Sequence, residues 1–564
     1  MNLPLPSLPR LGLVLLGALF LSLGAAHAAE KKSGWTRSAG QSTSAANPYF
    51  LFKLPQASTV QFDLESASVD TYLYVLDFSN PFSPKVYSDD DSGDGVNSRL
   101  TLSLNAGNYF VVAATYSDGR EGDFTVRTST GSLQFCFFAY ADTNYGGDSN
   151  AFCEGGSSSF QNDAYSSLRV PKGMRVRAFQ HGGQTGIART YYSDTPWVGD
   201  LYNDMISSFE WSDFWMDDYF MIFASDPQFS WGYCSDDSSS SLCAQERSLF
   251  AGYSDEDIGR LYNARLTNAI NTVKSYLGDY RFGGTVVNGD LTEFGDQGPD
   301  LGDYVSYYEH GLKMNVYLGL GNHDYQNNVN DCYQNGCAST MVWYLKDQAA
   351  TLNPLSFDYS QSGTYYSFPN NRRDHSGSLG YSWEIGNVHF VQLNNFPSYA
   401  TSWSGWNYSS ARQDYFTINS AISWLRNDVS NAVSRGKKII LNMHDYGADA
   451  GNSAFTSILN DYPVTALFAG HWHETYGRYT ETGPYSDGRR MPVFTSGSAH
   501  YGTFLVTRFV NGKMYVWVMA VDQFGGGSLR VKYNNTFYAA SNLNGIFDVC
   551  TGCSRYYEYV YDLR

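Results

Sequence analysis

At 564 residues the chain exceeds what one hydrophobic core ordinarily serves, so about three units of roughly 100 to 200 residues each are expected. A hydrophobic fraction of 43%, with 16% aromatics and 54 glycines, marks a globular protein of short, turn-punctuated strands and excludes a disordered or fibrous chain. The net charge of −18 opposes phosphate backbones and anionic lipid, so neither nucleic acid nor a membrane surface is the expected stable partner.

The chain opens with one basic residue, Arg10, an apolar run from Leu11 to Leu23, and then Ala26-His27-Ala28. That order predicts a secretory signal peptide over 1–28, and hence a secreted or periplasmic protein. The run is too short for a bilayer, which takes about 20 apolar residues, and no later stretch is apolar enough to span. Eight cysteines fall into four local pairs: Cys136 with Cys153, Cys234 with Cys243, Cys332 with Cys337, and Cys550 with Cys553. In an exported chain these read as small-loop disulfides. The rival reading of Cys550-Thr-Gly-Cys553, half of a zinc knuckle, lacks a second CxxC to complete it.

Residues 33–130 read as a β-sandwich, with alternating runs at Thr71–Leu76 and Tyr109–Ala113 between Gly, Asn and Asp clusters. The stretches VDTYLYVLD, DDDSGDGVNSRLTLSL and AGNYFVVAATY resemble the bacterial pre-peptidase C-terminal domain. The resemblance implies an accessory module of secreted enzymes that attaches to a surface or polymer. The acidic run Asp89-Asp90-Asp91 is either an exposed turn or a calcium site, and the turn is favoured.

In the segment 133–215, Tyr140 and Tyr145 precede Gly146-Gly147, and a six-residue pattern occurs twice, as Asn162-Asp-Ala-Tyr-Ser-Ser167 and Asn203-Asp-Met-Ile-Ser-Ser208. These features resemble a βγ-crystallin domain of two Greek-key halves, in which such paired patterns supply crossed calcium sites. The resemblance implies Ca2+ held by Asn162, Asp163 and Ser166 and by Asn203, Asp204 and Ser207. Amide, carboxylate and hydroxyl oxygens are the hard ligands that calcium takes. The same residue types also close turns by local hydrogen bonds, which is the alternative.

From 217 onward apolar strands alternate with helical stretches. Strands are predicted at Tyr219–Ala224, Gly284–Asn288, Asn315–Leu320, His389–Leu393, Lys438–Asn442 and Val464–Phe468, with an amphipathic helix from Asp255 to Gly278 capped by Ser254. Functional residues cluster just past these strands: SDPQ with Asp226 and Gln228, NGDLTE with Asp290 and Glu293, LGNHD with Asn322 and His323, NMHD with His444, and AGHWH with His471 and His473. In layered α/β sheets ligands bind at that end.

Five such motifs in this order resemble the calcineurin-like metallophosphoesterase superfamily. The resemblance covers 217–540 and implies a four-layer α/β/β/α hydrolase, followed by a tail over 541–564. It implies two divalent transition ions, Mn, Fe, Zn or Co: Asp226, Gln228 and His473 around the first, Asn322, His444 and His471 around the second, and Asp290 between them. Two ions a few ångströms apart activate water and neutralise charge in in-line attack at phosphorus. His323 is expected to protonate the leaving oxygen, steadied by Glu293. Two departures stand out. Gln228 replaces the usual imidazole of a DxH opening. Phe294 follows Glu293 where phosphoprotein phosphatases place a phosphate-gripping arginine, and Glu293 stands where purple acid phosphatases use tyrosine.

The expected protein is therefore multidomain, with two all-β modules ahead of an α/β hydrolase. The expected activity is hydrolysis of a phosphate monoester by a metal-bound hydroxide. A phosphodiesterase of the same fold, or a calcium-dependent surface-binding protein with a vestigial phosphatase domain, are the alternatives.

Overall fold

Alternating residues bury one face of each N-terminal strand, because successive side chains point to opposite sides of a sheet. In the computed structural model the strand Thr71–Asp77 buries Thr71, Leu73 and Val75 and turns Tyr72 and Tyr74 outward. The structure describes residues 29–564 except 81–83, 154–155, 160–163, 200–202, 204, 215, 279–280, 365–370, 409, 541–542, 544 and 548–556. The signal-peptide segment and the pair Cys550 and Cys553 lie outside the described residues, as do Asn162, Asp163 and Asp204. No described helix is long and apolar enough to cross a membrane.

The chain forms two compact units, one ending at Gln134 and one starting at Phe135. In the first, one sheet runs Ala29–Trp35, Gly122–Thr128, Ser58–Glu65, Ser98–Leu104, and another runs Tyr49–Leu54, Gly107–Thr115, Thr71–Asp77, Lys85–Asp89. Trp35 against Phe124, with ring centroids 4.3 Å apart, and Phe52 against Phe62, at 4.9 Å, form its core. In the acidic run, Asp89 Oδ2 accepts the backbone N–H groups of Ser92 and Arg99 at 3.0 and 2.8 Å and closes a turn, while Asp90 and Asp91 bring carboxylate oxygens within 4.8 Å of Asp70.

The second unit begins with a Greek-key module closed by the Cys136–Cys153 disulfide. One of its sheets runs Ser157–Ser159, Ser208–Asp213, Met174–His181, Thr185–Tyr191. The twofold repeat seen in the sequence is also structural. Ser167, the last residue of the first pattern, donates its hydroxyl to the Asp142 carbonyl at 2.6 Å and accepts the Tyr145 N–H at 3.0 Å. Ser208, in the same place in the second, donates to His181 at 2.6 Å and accepts from Gln184 at 3.1 Å.

The remainder is two facing sheets. One follows Val316–Gly319, Phe282–Asn288, Asp218–Ala224, Thr503–Val510, Lys513–Val521, Leu529–Tyr533, Thr536–Ala539. The other follows Ser356–Phe357, Tyr381–Ile385, Val388–Gln392, Lys438–Asn442, Val464–Ala469, Met491–Ser496, Tyr476–Thr482. Stacked rings join them, Phe223 on Phe468 at 3.7 Å and Tyr317 on Trp383 at 4.0 Å. The helix Asp255–Leu277 covers the first sheet with Leu266, Ile270 and Val273. Ser254 caps that helix by accepting the Asp257 N–H, and Gly278 ends it at a φ of 90°. Helices Ile422–Ser434 and Ser453–Asp461 cover the other sheet through Leu425, Val429 and Ile458. The layers are thus α/β/β/α. A further four-stranded sheet, Ser360–Thr364, Arg372–Gly377, Arg412–Ile418, Thr401–Asn407, was not expected from the sequence.

The Greek-key module is docked on this core by buried polar contacts. The Asn315 amide accepts the Thr190 N–H at 2.9 Å and donates to the Thr190 carbonyl at 2.8 Å. Arg189 donates to Gln348 Oε1 at 2.8 Å and lies 3.9 Å from the buried Glu309 carboxylate.

Candidate metal centre

Five loops converge, each leaving the carboxyl end of a strand. Asp226 and Gln228 follow Asp218–Ala224, Asp290 follows Phe282–Asn288, and Asn322 and His323 follow Val316–Gly319. His444 follows Lys438–Asn442, and His471 and His473 follow Val464–Ala469. The first three of these strands pair in parallel, so their ends lie side by side. Asp226, Gln228, Asp290 and His471 adopt the left-handed backbone conformation, with φ of 52°, 31°, 51° and 72°. Non-glycine residues rarely do so, and such strain gathers at functional sites. Glycines make room beside them: a Cβ on Gly321 would lie 2.2 Å from Asp290 Oδ1, and one on Gly470 would lie 2.8 Å from Asp226 Oδ2.

The carboxylates are held from behind by backbone donors. Asp290 Oδ1 accepts the His323 N–H at 2.9 Å, and Asp226 accepts the His471 N–H at 3.1 Å. His444 donates Nδ1–H to the Asn288 carbonyl at 2.8 Å, so its Nε2 faces Asn322 Oδ1 at 3.0 Å and Asp290 Oδ2 at 3.1 Å. His473 Nε2 lies 3.4 Å from Asp226 Oδ1. Among the described residues, the groups whose ligand atoms all lie within 4.8 Å of one another include Asp236, His473 and His500, and two more that share a carboxylate: Asp290, His444 and His471, and Asp226, Asp290 and His473. Asp290 belongs to both of the latter.

Burial opposes a charge on His444, yet the Asp290 carboxylate beside it pushes its pKa up to about 9. Burial likewise opposes charge on His473, while Asp226 and Asp236 push it up to about 10. Burial would raise Asp290, but His444 and His323 hold it below the ordinary carboxylate range. Buried acids here demand positive charge, and divalent cations supply it in the same place. The donor set of carboxylate, amide and imidazole suits borderline ions. Gln228 fits as well: its Nε2 lies 3.4 Å from Asp290 Oδ2, and its buried Oε1 has no hydrogen-bond partner among the described residues. A buried carbonyl oxygen in that condition suits a cation.

Residues 262–475 match the family model described as calcineurin-like phosphoesterase. This part of the chain is a calcineurin-like phosphoesterase domain. The match takes in Asp290, Asn322, His323, His444, His471 and His473, while Asp226 and Gln228 precede it. Solved βγ-crystallin structures are similar to the N-terminal part of the chain. A clostrillin double mutant in complex with nickel shares 34% identity over 14% of this chain and 98% of that one, with a TM-score of 0.13. A double-mutant βγ-crystallin domain from Clostridium beijerinckii shares 38% over 14% and 94%, also at 0.13. A βγ-crystallin domain from Flavobacterium johnsoniae shares 26% over 14% and 93%, again at 0.13. No curated protein matches the chain significantly.

The phosphoesterase domain corrects one expectation. His323 Nδ1 meets the backbone carbonyl of Glu293 at 3.0 Å, so it is the backbone of that turn, not the Glu293 carboxylate, that orients the ring. Burial, with Asp300 and Asp255 nearby, pushes the Glu293 carboxyl up to about 7. The phosphoesterase site also contains residues that sequence reasoning missed. Asp324, fully buried, accepts the N–H groups of Gly321, Leu291 and Thr292 at 2.8, 3.1 and 2.9 Å and so ties the Asn322 loop to the Asp290 loop. It stands inside the LGNHD motif, where its position was visible but its role was not. Trp231, Asp236 and His500 also reach the site, and no local pattern marks them. Trp231 packs edge-on against His323 and His473, with ring centroids 5.1 and 5.6 Å away.

Gln228 yields a direct prediction. Gln228→His replaces a neutral oxygen by a softer nitrogen, so the first ion should bind more tightly and the preference should move towards Zn. Calorimetric titration of the metal-stripped variant with Zn and Mn checks this, and unchanged affinities would place residue 228 outside the ligand set.

The two patterns that carry the calcium candidates meet in the fold. The Ala164 N–H, inside the first pattern, meets the Ile206 carbonyl, inside the second, at 3.3 Å. Ser166 and Ser207 are both buried, and their N–H groups bind Tyr140 and Phe179 carbonyls at 2.8 and 2.9 Å.

Proposed function

We propose that the protein is an exported hydrolase of phosphate monoesters. The reading is carried by Asp290, a buried carboxylate shared by two adjacent groups of ligand atoms. Asp226, Gln228 and His473 would hold one divalent ion, Asn322, His444 and His471 the other, with Asp290 serving both. Bound there, the two ions would lower the pKa of a water and neutralise the charge that develops at phosphorus. The chain's own part is to place the ester and to move a proton. With Nδ1–H given to the Glu293 carbonyl, His323 carries its labile proton on Nε2 and delivers it to the departing oxygen. Three disulfides among the described residues support an oxidising destination.

The test is a panel of phosphate monoesters and diesters assayed with Mn, Fe, Zn, Co and Mg in turn. Faster turnover of monoesters is expected. A preference for diesters would overturn the monoester reading, and no turnover with any ion would favour a vestigial domain.

We further propose that the paired Asn-Asp-x-x-Ser-Ser patterns bind Ca2+. The contact between Ala164 and Ile206 brings the two copies together, as crossed sites require. Calcium should then raise the melting temperature of the full chain. Linkage gives about 2.7 kcal/mol at a hundredfold excess over Kd. Scanning calorimetry of the parent and of Ser166→Ala/Ser207→Ala checks this. An equal calcium increment in both would mean that these serines only form turns.

A further inference from the structure

Asp236 ends the short helix Tyr233–Asp236, in a segment closed by the Cys234–Cys243 disulfide. Its carboxylate gathers three donors. Oδ1 accepts Trp231 Nε1–H at 2.6 Å and His473 Nδ1–H at 2.7 Å, and Oδ2 accepts His500 Nε2–H at 2.8 Å. His500 is buried, and its Nδ1 faces the Ser498 hydroxyl at 3.1 Å, which fixes the ring from its far side. The segment itself is anchored. Glu246, buried on the helix Ser241–Leu249, accepts the N–H groups of Tyr233 and Cys234 at 2.9 and 3.1 Å and the Tyr262 hydroxyl at 2.7 Å. A Cβ on Gly232 would lie 2.6 Å from that carboxylate, so the turn passes close against Glu246.

An imidazole has two nitrogens, and a carboxylate on one commits the other to its lone pair. With Nδ1–H bound to Asp236, His473 directs its Nε2 at Asp226 Oδ1, 3.4 Å away, where a bound cation would take the place of the Nε2 proton. We infer that Asp236, carried on the disulfide-closed loop, is a positioning residue that holds His473 ready for the first metal ion. The inference rests on the proposed role of His473 as a ligand. It assigns a task to a segment that lies outside all five strand-end motifs and ahead of residues 262–475.

Asp236→Asn keeps the shape but leaves one oxygen where two are needed, so either His473 or His500 must face an N–H group. The full chain, stripped of metal, is titrated with Co2+ while the visible absorption of the bound ion is followed. The expected result is a loss of about 10- to 100-fold in affinity for one ion, with the second unchanged. His473→Ala is run beside it. If His473→Ala weakens one ion and Asp236→Asn binds both as the parent does, the inference is overturned. If His473→Ala itself changes neither constant, the ligand role of His473 falls and the inference with it. The Cys234→Ser/Cys243→Ser chain keeps the carboxylate and frees its loop, so it carries the test even where Asp236→Asn folds poorly. It should weaken the same ion by a smaller factor, and unaltered binding of both ions would refute the loop's part in the positioning.

Discussion

Replacing His444 with alanine should abolish turnover and lower the metal content of the purified protein. The side chain is fully buried and joins three groups: the Asn288 carbonyl at 2.8 Å, Asn322 Oδ1 at 3.0 Å and Asp290 Oδ2 at 3.1 Å. Its loss removes one proposed ligand nitrogen and leaves the Asp290 carboxylate short of a partner. Stranding a buried charge costs about 3–5 kcal/mol, so the metal-free variant should also melt earlier. Charge stabilisation by bound ions is worth several kcal/mol at the transition state, and each 1.36 kcal/mol is tenfold, so a fall of about 10³ or more is expected. Elemental analysis and initial rates on a phosphate monoester check both halves. Full activity in chelator-stripped parent protein would show that the attack needs no metal at all.

The second large effect is selective. His323→Asn should slow alkyl phosphates by about 10² to 10⁴, the usual worth of a general acid, while a nitrophenyl phosphate loses far less because its phenolate departs without a proton. The ring is placed for this by its own backbone N–H on Asp290, by Nδ1 on the Glu293 carbonyl and by the edge of Trp231. Metal content should stay at the parent level. Equal slowing of both esters would make His323 a scaffold for Asp290 and not a donor. Because the Glu293 carboxylate does not touch the ring, Glu293→Gln should leave this selectivity as it is.

The candidate ligands were legible because each stands two to four residues past a strand whose apolar run announces it, as in Phe223-Ala-Ser-Asp226 and Phe468-Ala-Gly-His471. Short-range order carries that information. Asp236 was not legible, since it meets His473 across 237 residues of chain and His500 across 264. The Glu293 misreading has a similar cause. Side-chain chemistry can be read from letters, but which backbone carbonyl a turn presents cannot. The added four-stranded sheet escaped because its inner face is weakly apolar. Strand Thr401–Asn407 buries Trp403, Gly405 and Asn407, so period-two alternation exists in burial but hardly in hydrophobicity. The left-handed backbone at Asp226, Gln228, Asp290 and His471 was equally hidden, because residue type suggests it only for glycine and, weakly, for Asn and Asp.

The docking of Thr190 on Asn315 bears on how this protein can be trimmed. Strand Val316–Gly319 is the last in its sheet, and Asn315 at its threshold spends its amide on the neighbouring module. A chain cut near residue 216 would leave that amide, Glu309 and Gln348 stripped of Thr190 and Arg189, beside a bare sheet margin. Such margins recruit other strands, so the shortened enzyme should clump during expression. A truncation that keeps this docking intact therefore retains the Greek-key module at the start of the second unit.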